Sequence, residues 1–280
     1  MNDDRVINSE FDFFMIGGLK KEEKGMLLVI DVGNTNVVLG VYEKDQLLTS
    51  WRMTTALNQT SDEMGMFIYQ LFRQRKIDIH SLEHVIISSV VPDFMHALVG
   101  AIKNYLHINP MIVGPGIKTG INIIMENPKE LGADRLVNAV ATVELYGAPA
   151  IVIDFGTATT YDVLSKEGAY IGGITSPGLR ICADALYQRA AQLPRVAIKK
   201  PKNIIAKNTV DSIQSGLVYG AIGEVAYIIE TIRKETKEPN MKVIATGGLA
   251  SLLDDGTGLF TEVNPNLTLE GLRILYEKNK

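Results

Sequence analysis

Two stretches of this sequence join an apolar run, an aspartate and a turn of small polar residues. The first is Leu27-Leu28-Val29-Ile30-Asp31-Val32-Gly33-Asn34-Thr35-Asn36. The second is Ala150-Ile151-Val152-Ile153-Asp154-Phe155-Gly156-Thr157-Ala158-Thr159-Thr160. In each, a buried strand delivers a carboxylate to its end. Gly33 lets backbone approach a ligand with no side chain in the way. The amides and hydroxyl of Asn34, Thr35 and Asn36 can grip phosphate oxygens, and Asp31 can hold a hydrated metal ion. One such turn is weak evidence, but the same aspartate-x-glycine-threonine logic returns 123 positions later. A third turn, Ala245-Thr246-Gly247-Gly248-Leu249-Ala250, follows another apolar strand and offers bare glycine backbone to a flat ring. Two such turns could close on a polyphosphate from opposite sides, and the third could let an adenine ring lie against bare glycine backbone.

The elements that must position these turns repeat as well. After the first strand, Val37 to Tyr42 and Leu47 to Met53 are β-rich and are separated by the polar turn Glu43 to Gln46, a β-meander. Thr60 and Glu63 form a capping box ahead of a helix with Met64, Phe67, Ile68, Leu71 and Phe72 on one side. His84 to Val91 reads as a buried strand broken by Pro92, with a helix following to about Leu106, and Met111 to Val113 is a short strand. Asn127 to Arg135 leads into an apolar helix from Leu136 to Tyr146. The second half restarts with strands at 150–154, 159–164 and 170–175, and a helix is expected from about Pro177 to Gln192. An irregular basic stretch, Pro194 to Lys207, precedes a long helix capped by Asn208 or Thr209. A core strand at Lys242 to Thr246 and a closing helix at Leu267 to Glu277 complete the chain. The expected division is residues 26–147 and 148–280, with 1–25 an upstream extension outside the fold.

Bulk properties narrow the classes. The 280 residues are 46% hydrophobic and 21% charged, enough for a full core in one large or two ordinary domains. A net charge of −4 and a pI near 5.7 give no whole-protein electrostatic case for nucleic acid. The single cysteine, Cys182, excludes an intrachain disulfide framework and fits a reducing cytoplasm. No apolar run approaches the roughly 20 residues needed to span a bilayer, so no membrane partner is expected. The four histidines form no metal-ligand pattern with Cys182.

The paired turns resemble the acetate kinase/sugar kinase/heat-shock-70/actin superfamily. Its members clasp ATP between duplicated RNase-H-like domains, α/β units of mixed sheet flanked by helices. Four ordered motifs narrow this further: Asp31 to Asn36, Gly132-Ala133-Asp134-Arg135, Asp154 to Thr160, and Asn208-Thr209 with Gln214-Ser215-Gly216. Together they resemble type III pantothenate kinase, from Met26 onward. That resemblance implies ATP-dependent phosphorylation of the primary hydroxyl of pantothenate, which opens coenzyme A biosynthesis, by a cytoplasmic homodimer. It assigns ATP contacts to Asp31, Val32, Gly33, Asn34, Thr35, Asn36, Val37, Val38 and Thr157. It assigns pantothenate contacts to Gly132, Ala133, Asp134 and Arg135, with Asp134 as proton acceptor. Asp154 would hold a monovalent cation, K+ or NH4+, and Thr209 would reach the substrate of the neighbouring subunit. Mg2+ would bridge phosphate oxygens, with Asp31 holding it directly or through water.

Two positions depart from the family, the milder being Ser176, which stands in place of a threonine and keeps the hydroxyl. Relatives often carry tyrosine before the Glu-Asn-Pro that matches Glu126-Asn127-Pro128, and here it is Met125. A thioether keeps an apolar contact with pantothenate and loses the phenol hydroxyl. The residues alone also permit other assignments. Asp134 and Arg135 fit a helix N-terminal acid and a surface ion pair, and Thr209 fits a helix N-cap. Arg135 suits a substrate carboxylate or phosphate oxygens equally. A kinase for another small hydroxyl or carboxylate substrate, or a non-catalytic regulatory relative, shares most of these features. An intact Asp134 and Asp31 turn speak against the regulatory alternative.

Overall fold

The computed structural model describes residues 25–254 and 258–280. Most of the N-terminal extension, residues 1–24, therefore lies outside the described residues. The first half opens with the expected meander, β1 (Met26–Val32), β2 (Asn36–Glu43) and β3 (Gln46–Thr54). Helix α1 (Ser61–Arg75) follows, and both capping-box bonds form: Glu63 N donates to Thr60 Oγ1 at 3.3 Å and Thr60 N to Glu63 Oε2 at 2.8 Å. Strand β4 (Leu82–Ser89), helix α2 (Pro92–Ala101) with a π-helical continuation to Leu106, and the two-residue β5 (Met111–Ile112) complete the sheet. Its order is β3-β2-β1-β4-β5, antiparallel in the meander and parallel between β1, β4 and β5.

Helix α3 (Ala133–Tyr146) crosses to the second half. It starts three residues before the expected Leu136, which brings Asp134 into its first turn. Strands β6 (Ala150–Phe155), β7 (Ala158–Leu164) and β8 (Tyr170–Pro177) repeat the meander. Because β8 runs through Pro177, the next helix, α4 (Leu179–Arg189), is shorter at both ends than its sequence suggests. Helix α5 (Thr209–Thr236) is capped by Asn208, whose Oδ1 accepts from Asp211 N at 2.8 Å. Strand β9 (Lys242–Thr246), the four-residue α6 (Ala250–Leu253), strand β10 (Glu262–Val263) and helix α7 (Leu267–Asn279) end the chain. The second sheet reads β8-β7-β6-β9-β10 with the same pattern of directions as the first, so the duplication extends to topology.

Strand alternation decides which way each aspartate faces. Leu28, Ile30 and Val32 of β1 pack outward against Met64, Ile68 and Phe72 of α1 and Phe94 and Leu98 of α2. Leu27 and Val29 pack inward against Val137 and Val140 of α3 and Leu272 and Leu275 of α7. In β6, Ile151, Ile153 and Phe155 face Val218, Val225 and Ile229 of α5, while Ala150 and Val152 face Ala139 and Ala141 of α3 and Leu267. Asp31 and Asp154 continue the inward sets and so face each other across the α3–α7 layer. Helix α3 is buried on both sides, Val137 and Val140 against one sheet and Ala139 and Ala141 against the other. Helix α7, last in the chain, packs back against β1, β2, β4 and α3 of the first half.

The α3–α7 crossing depends on Gly271, where a methyl group would collide with Val137 O and lie 2.7 Å from Val137 Cγ1. Overpacking of this kind costs about 1–3 kcal/mol, which outweighs a gain of roughly 1 kcal/mol in helix propensity. Gly271→Ala is therefore expected to lower the thermal unfolding midpoint by several degrees. An unchanged midpoint in a calorimetric melt would mean that the two helices do not touch as closely as this.

Candidate active site

A row of cross-strand partners sets the floor of the cleft. Ser88 of β4, Asp31 of β1, Val38 of β2 and Arg52 of β3 stand opposite one another. The equivalent row in the second sheet is Thr246, Asp154, Thr160 and Thr175. Both aspartates keep an edge open to the cleft, yet protein crowds their carboxylates. Burial, then the negative charge of Asp134, raises Asp31 to about 7; Asp154 adds to the effect, and Arg52 opposes it. Burial, then Asp134 and Asp162, raises Asp154 to about 6, again opposed by Arg52. Asp31 Oδ1 and Ser88 Oγ are sealed from solvent without hydrogen-bond partners among the described residues. Ser88 lies close enough to temper the shift at Asp31 but outside hydrogen-bond geometry. An unsatisfied carboxylate oxygen beside an unsatisfied hydroxyl is a fit for a hard cation, which takes oxygen ligands. No group of three or more His, Cys, Asp or Glu side chains among the described residues can enclose a metal ion. A cation here would take its other ligands from phosphate, backbone or water.

Asp154 is held from behind. Asn138 Nδ2 of α3 donates to Asp154 Oδ2 at 3.3 Å, and Thr268 Oγ1 of α7 donates to Asn138 Oδ1 at 2.8 Å. On its other side lies Gly247, with φ +90°, where any side chain would collide with Asp154 Oδ1 and the Phe155 backbone. Only glycine satisfies both constraints.

The turns after β1 and β6 are each closed by a hydrogen bond from the glycine amide, over three residues in the first and two in the second. Gly33 N donates to Asn36 O at 3.0 Å, and Gly156 N to Ala158 O at 3.1 Å. Thr55 Oγ1 clamps the first turn by donating to Gly33 O at 2.6 Å. The two turns meet: Thr35 Oγ1 and Thr157 Oγ1 are 2.8 Å apart, a direct hydrogen bond between the halves. Asn34, Thr35 and Thr157 are exposed, whereas the side chains of Val32 and Val37 lie in the outer core and Val38 packs inward. Within the first segment, the exposed polar groups are thus those of Asn34 and Thr35.

Asp134 enters through the first turn of α3, with Gly132 at the cap, and its Oδ1 accepts from Arg135 N at 2.8 Å. Its charge acts on both Asp31 and Asp154, so the three carboxylates form one electrostatic group. Arg135 turns away from them, and its Nε and Nη2 both lie 2.7 Å from Asp162 Oδ1. Asp162, fully buried on β7, also accepts from Tyr170 OH at 2.7 Å. Burial still raises it to about 6 against the pull of Arg135 and Tyr170. Of the other expected substrate contacts, Ala133 and Met125 are partly buried, Met125 against the α3–β6 cluster near Tyr170. Thr209 is exposed at the start of α5 and hydrogen-bonds to no cleft residue among those described.

Asp162, Asn138, Thr268 and Arg52 escaped the reading of the sequence. The signal for Asp162 was present, as a single acid in the apolar strand Thr159 to Leu164 at the same parity as Thr160, the partner of Asp154.

A sequence model of the family described as type III pantothenate kinase matches residues 27–231. The chain belongs to that family. Type III pantothenate kinases use ATP to phosphorylate pantothenate in coenzyme A biosynthesis, and the chain is an enzyme of this type. The match takes in the Asp31 turn, Asp134, the Asp154 turn and most of α5; the Gly247–Gly248 turn and α7 lie beyond it. Solved structures share the fold at low identity. A candidate Baf family transcriptional activator from Campylobacter jejuni is 18% identical with a TM-score of 0.55, over 90% of this chain and 98% of its own. MreB 5 of Spiroplasma citri bound to AMPPNP is 13% identical with a TM-score of 0.53, over 90% and 96%. The ethanolamine utilization protein EutJ from Carboxydothermus hydrogenoformans is 14% identical with a TM-score of 0.51, over 89% of each chain. These place the type III kinase sequence on the actin-like ATPase fold. No helix among the described residues is long and apolar enough to cross a membrane.

Proposed function

We propose that ATP lies across the paired turns and that pantothenate is phosphorylated beside Asp134. The observation that carries this reading is the Thr35–Thr157 contact, which brings the two candidate phosphate turns together directly in front of Asp31 and Asp154. The primary hydroxyl of pantothenate gives its proton to the Asp134 carboxylate. Its oxygen bonds to the γ-phosphorus as the bond to the ADP oxygen breaks, and ADP leaves. Positioning and charge compensation do most of the work in such a transfer. Asp31 would hold Mg2+, directly or through water, and Asp154 would hold K+ or NH4+. When bound, these cations neutralise phosphate charge. Arg135, fixed by Asp162, orients pantothenate from the β7 side together with Gly132 and Ala133. Residues 26–147 and 148–280 act as the two jaws.

Thr209 is exposed and hydrogen-bonds to no site residue among those described, which leaves it available to reach the partner's pantothenate in a homodimer. Ile181 and Tyr187 of α4 and Tyr227 of α5 are exposed at 46%, 50% and 71%, an apolar face suited to a second copy. With no membrane-spanning helix among the described residues and one cysteine, the cytoplasm is the fitting compartment. The test is ADP release with pantothenate and Mg2+, in K+ or NH4+ against Na+, with light scattering on the same sample. Pantothenate-dependent turnover that needs K+ or NH4+, from a particle of twice the chain mass, is expected. No pantothenate-dependent turnover with every cation present would overturn the proposal.

A further inference from the structure

The row that carries Asp31 ends on Arg52. Trp51 and Met53 of β3 pack into the outer core, so alternation turns Arg52 to the same face as Asp31. Its guanidinium then crosses to the other half. A methyl group built on Gly248, in the turn after β9, would lie 3.2 Å from Arg52 Nη1. Its positive charge acts on both Asp31 and Asp154. Among the described residues Arg52 makes no hydrogen bond or ion pair, and it is exposed to the cleft.

Charge makes this position informative. Asp31, Asp134 and Asp154 present three carboxylates to a polyphosphate that is itself anionic. The other arginine of the site, Arg135, is paired with Asp162 and so supplies little net charge. A guanidinium is planar and always cationic, and its donors match the spacing of phosphate oxygens.

We propose that Arg52 is a catalytic residue whose guanidinium donates to the phosphate oxygens of ATP between the Asp31 turn and the Gly247–Gly248 turn. There it offsets the negative charge on the γ-phosphoryl group as its bond to the ADP oxygen breaks and the bond to the pantothenate oxygen forms. This rests on the ATP placement proposed above. It gives Gly248 a purpose of its own, since a side chain there would press on the guanidinium.

Arg52→Ala and Arg52→Lys, purified as the full chain, test it. Steady-state kinetics give kcat and KM, and calorimetry gives binding of Mg2+ with a non-hydrolysable ATP analogue in the absence of pantothenate. Arg52→Ala is expected to lower kcat by about 100-fold or more, the scale seen when one preorganised donor is removed. It should weaken the ATP analogue and leave KM for pantothenate within about threefold. Arg52→Lys should fall between, and millimolar guanidinium ion should restore part of the alanine variant's kcat. A kcat within about twofold of wild type in Arg52→Ala would overturn the proposal. So would a loss that neither lysine nor guanidinium relieves, because that is the mark of a packing role. If the wild-type chain turns over no pantothenate, the proposed function falls by itself. The analogue binding of Arg52→Ala then still decides the proposal, and an affinity equal to wild type would end it.

Discussion

Asp134→Asn is expected to lower turnover by about 10³-fold while the enzyme still binds ATP. The amide keeps the size of the side chain and can still accept from Arg135 N, as Asp134 Oδ1 does at 2.8 Å, so the first turn of α3 should hold. What it cannot do is accept the hydroxyl proton, a contribution of about 10²–10⁴-fold in general-base catalysis. Charge makes the prediction sharper. The Asp134 carboxylate raises both Asp31 and Asp154, so its removal lets both ionise at lower pH. ATP with Mg2+ should therefore bind the variant at least as tightly as it binds wild type, most visibly near pH 6. Quench-flow kinetics and calorimetry check the two halves of the prediction. Turnover near wild type would remove Asp134 as the base, and a collapse of ATP binding would make its role structural.

The second large effect is on pH. Asp31 at about 7 and Asp154 at about 6 both lie above the ordinary aspartate value of about 3.9. Between those limits the ligand-free folded chain binds more protons than the unfolded one, so its stability falls as pH rises. The favourable contribution is fully present below about pH 4 and lost as pH passes through 6 and 7, at about 1.4 kcal/mol per pH unit for each proton. Cations held by these carboxylates, as proposed, would reverse the slope by binding the ionised form and displacing protons. The rise in melting temperature produced by Mg2+, ATP and K+ together should be several degrees larger at pH 8 than at pH 6, since about 1 kcal/mol moves a chain of this size by a few degrees. Turnover should climb over the same interval. Scanning fluorimetry from pH 5 to 8, with and without the ligands, tests this. A ligand-induced shift that ignores pH would show that no buried carboxylate takes up a cation.

How much of this was legible in the sequence follows the range of the forces involved. The strands ending in Asp31 and Asp154, the Thr60–Glu63 capping box and the β-meanders are local patterns, and each forms where its residues predict. Strand β10, two residues long, has no periodicity to detect. The partners of the site residues are tertiary facts. Asp162 meets Arg135 only because α3 is laid against β7, and Thr268 reaches Asn138 from 130 positions away. Arg135 looked available to a ligand, and its pairing with a buried acid could not be read from its neighbours. Alternation did contain the facing of Arg52, through Trp51 and Met53. Its reach to Gly248 depends on how the two sheets are set, and no strand pattern carries that.

The return of α7 to the first sheet bears on how this gene can be cut and rejoined. Severing the chain near Gly147 would strip Leu27 and Val29 of α7, one of the two helices that cover them, so residues 26–147 make a poor independent fragment. The start of β1 and the end of α7, however, are neighbours: Gly25, Leu27, Tyr276 and Lys280 line one cavity. A short linker from Lys280 to Gly25, with new ends opened between α3 and β6, would run the second meander first and feed α7 straight into β1. Such a circular permutant keeps the α7–sheet and α3–α7 packing intact. It frees only the tether between α3 and β6, which makes it a direct way to ask how much turnover depends on that tether.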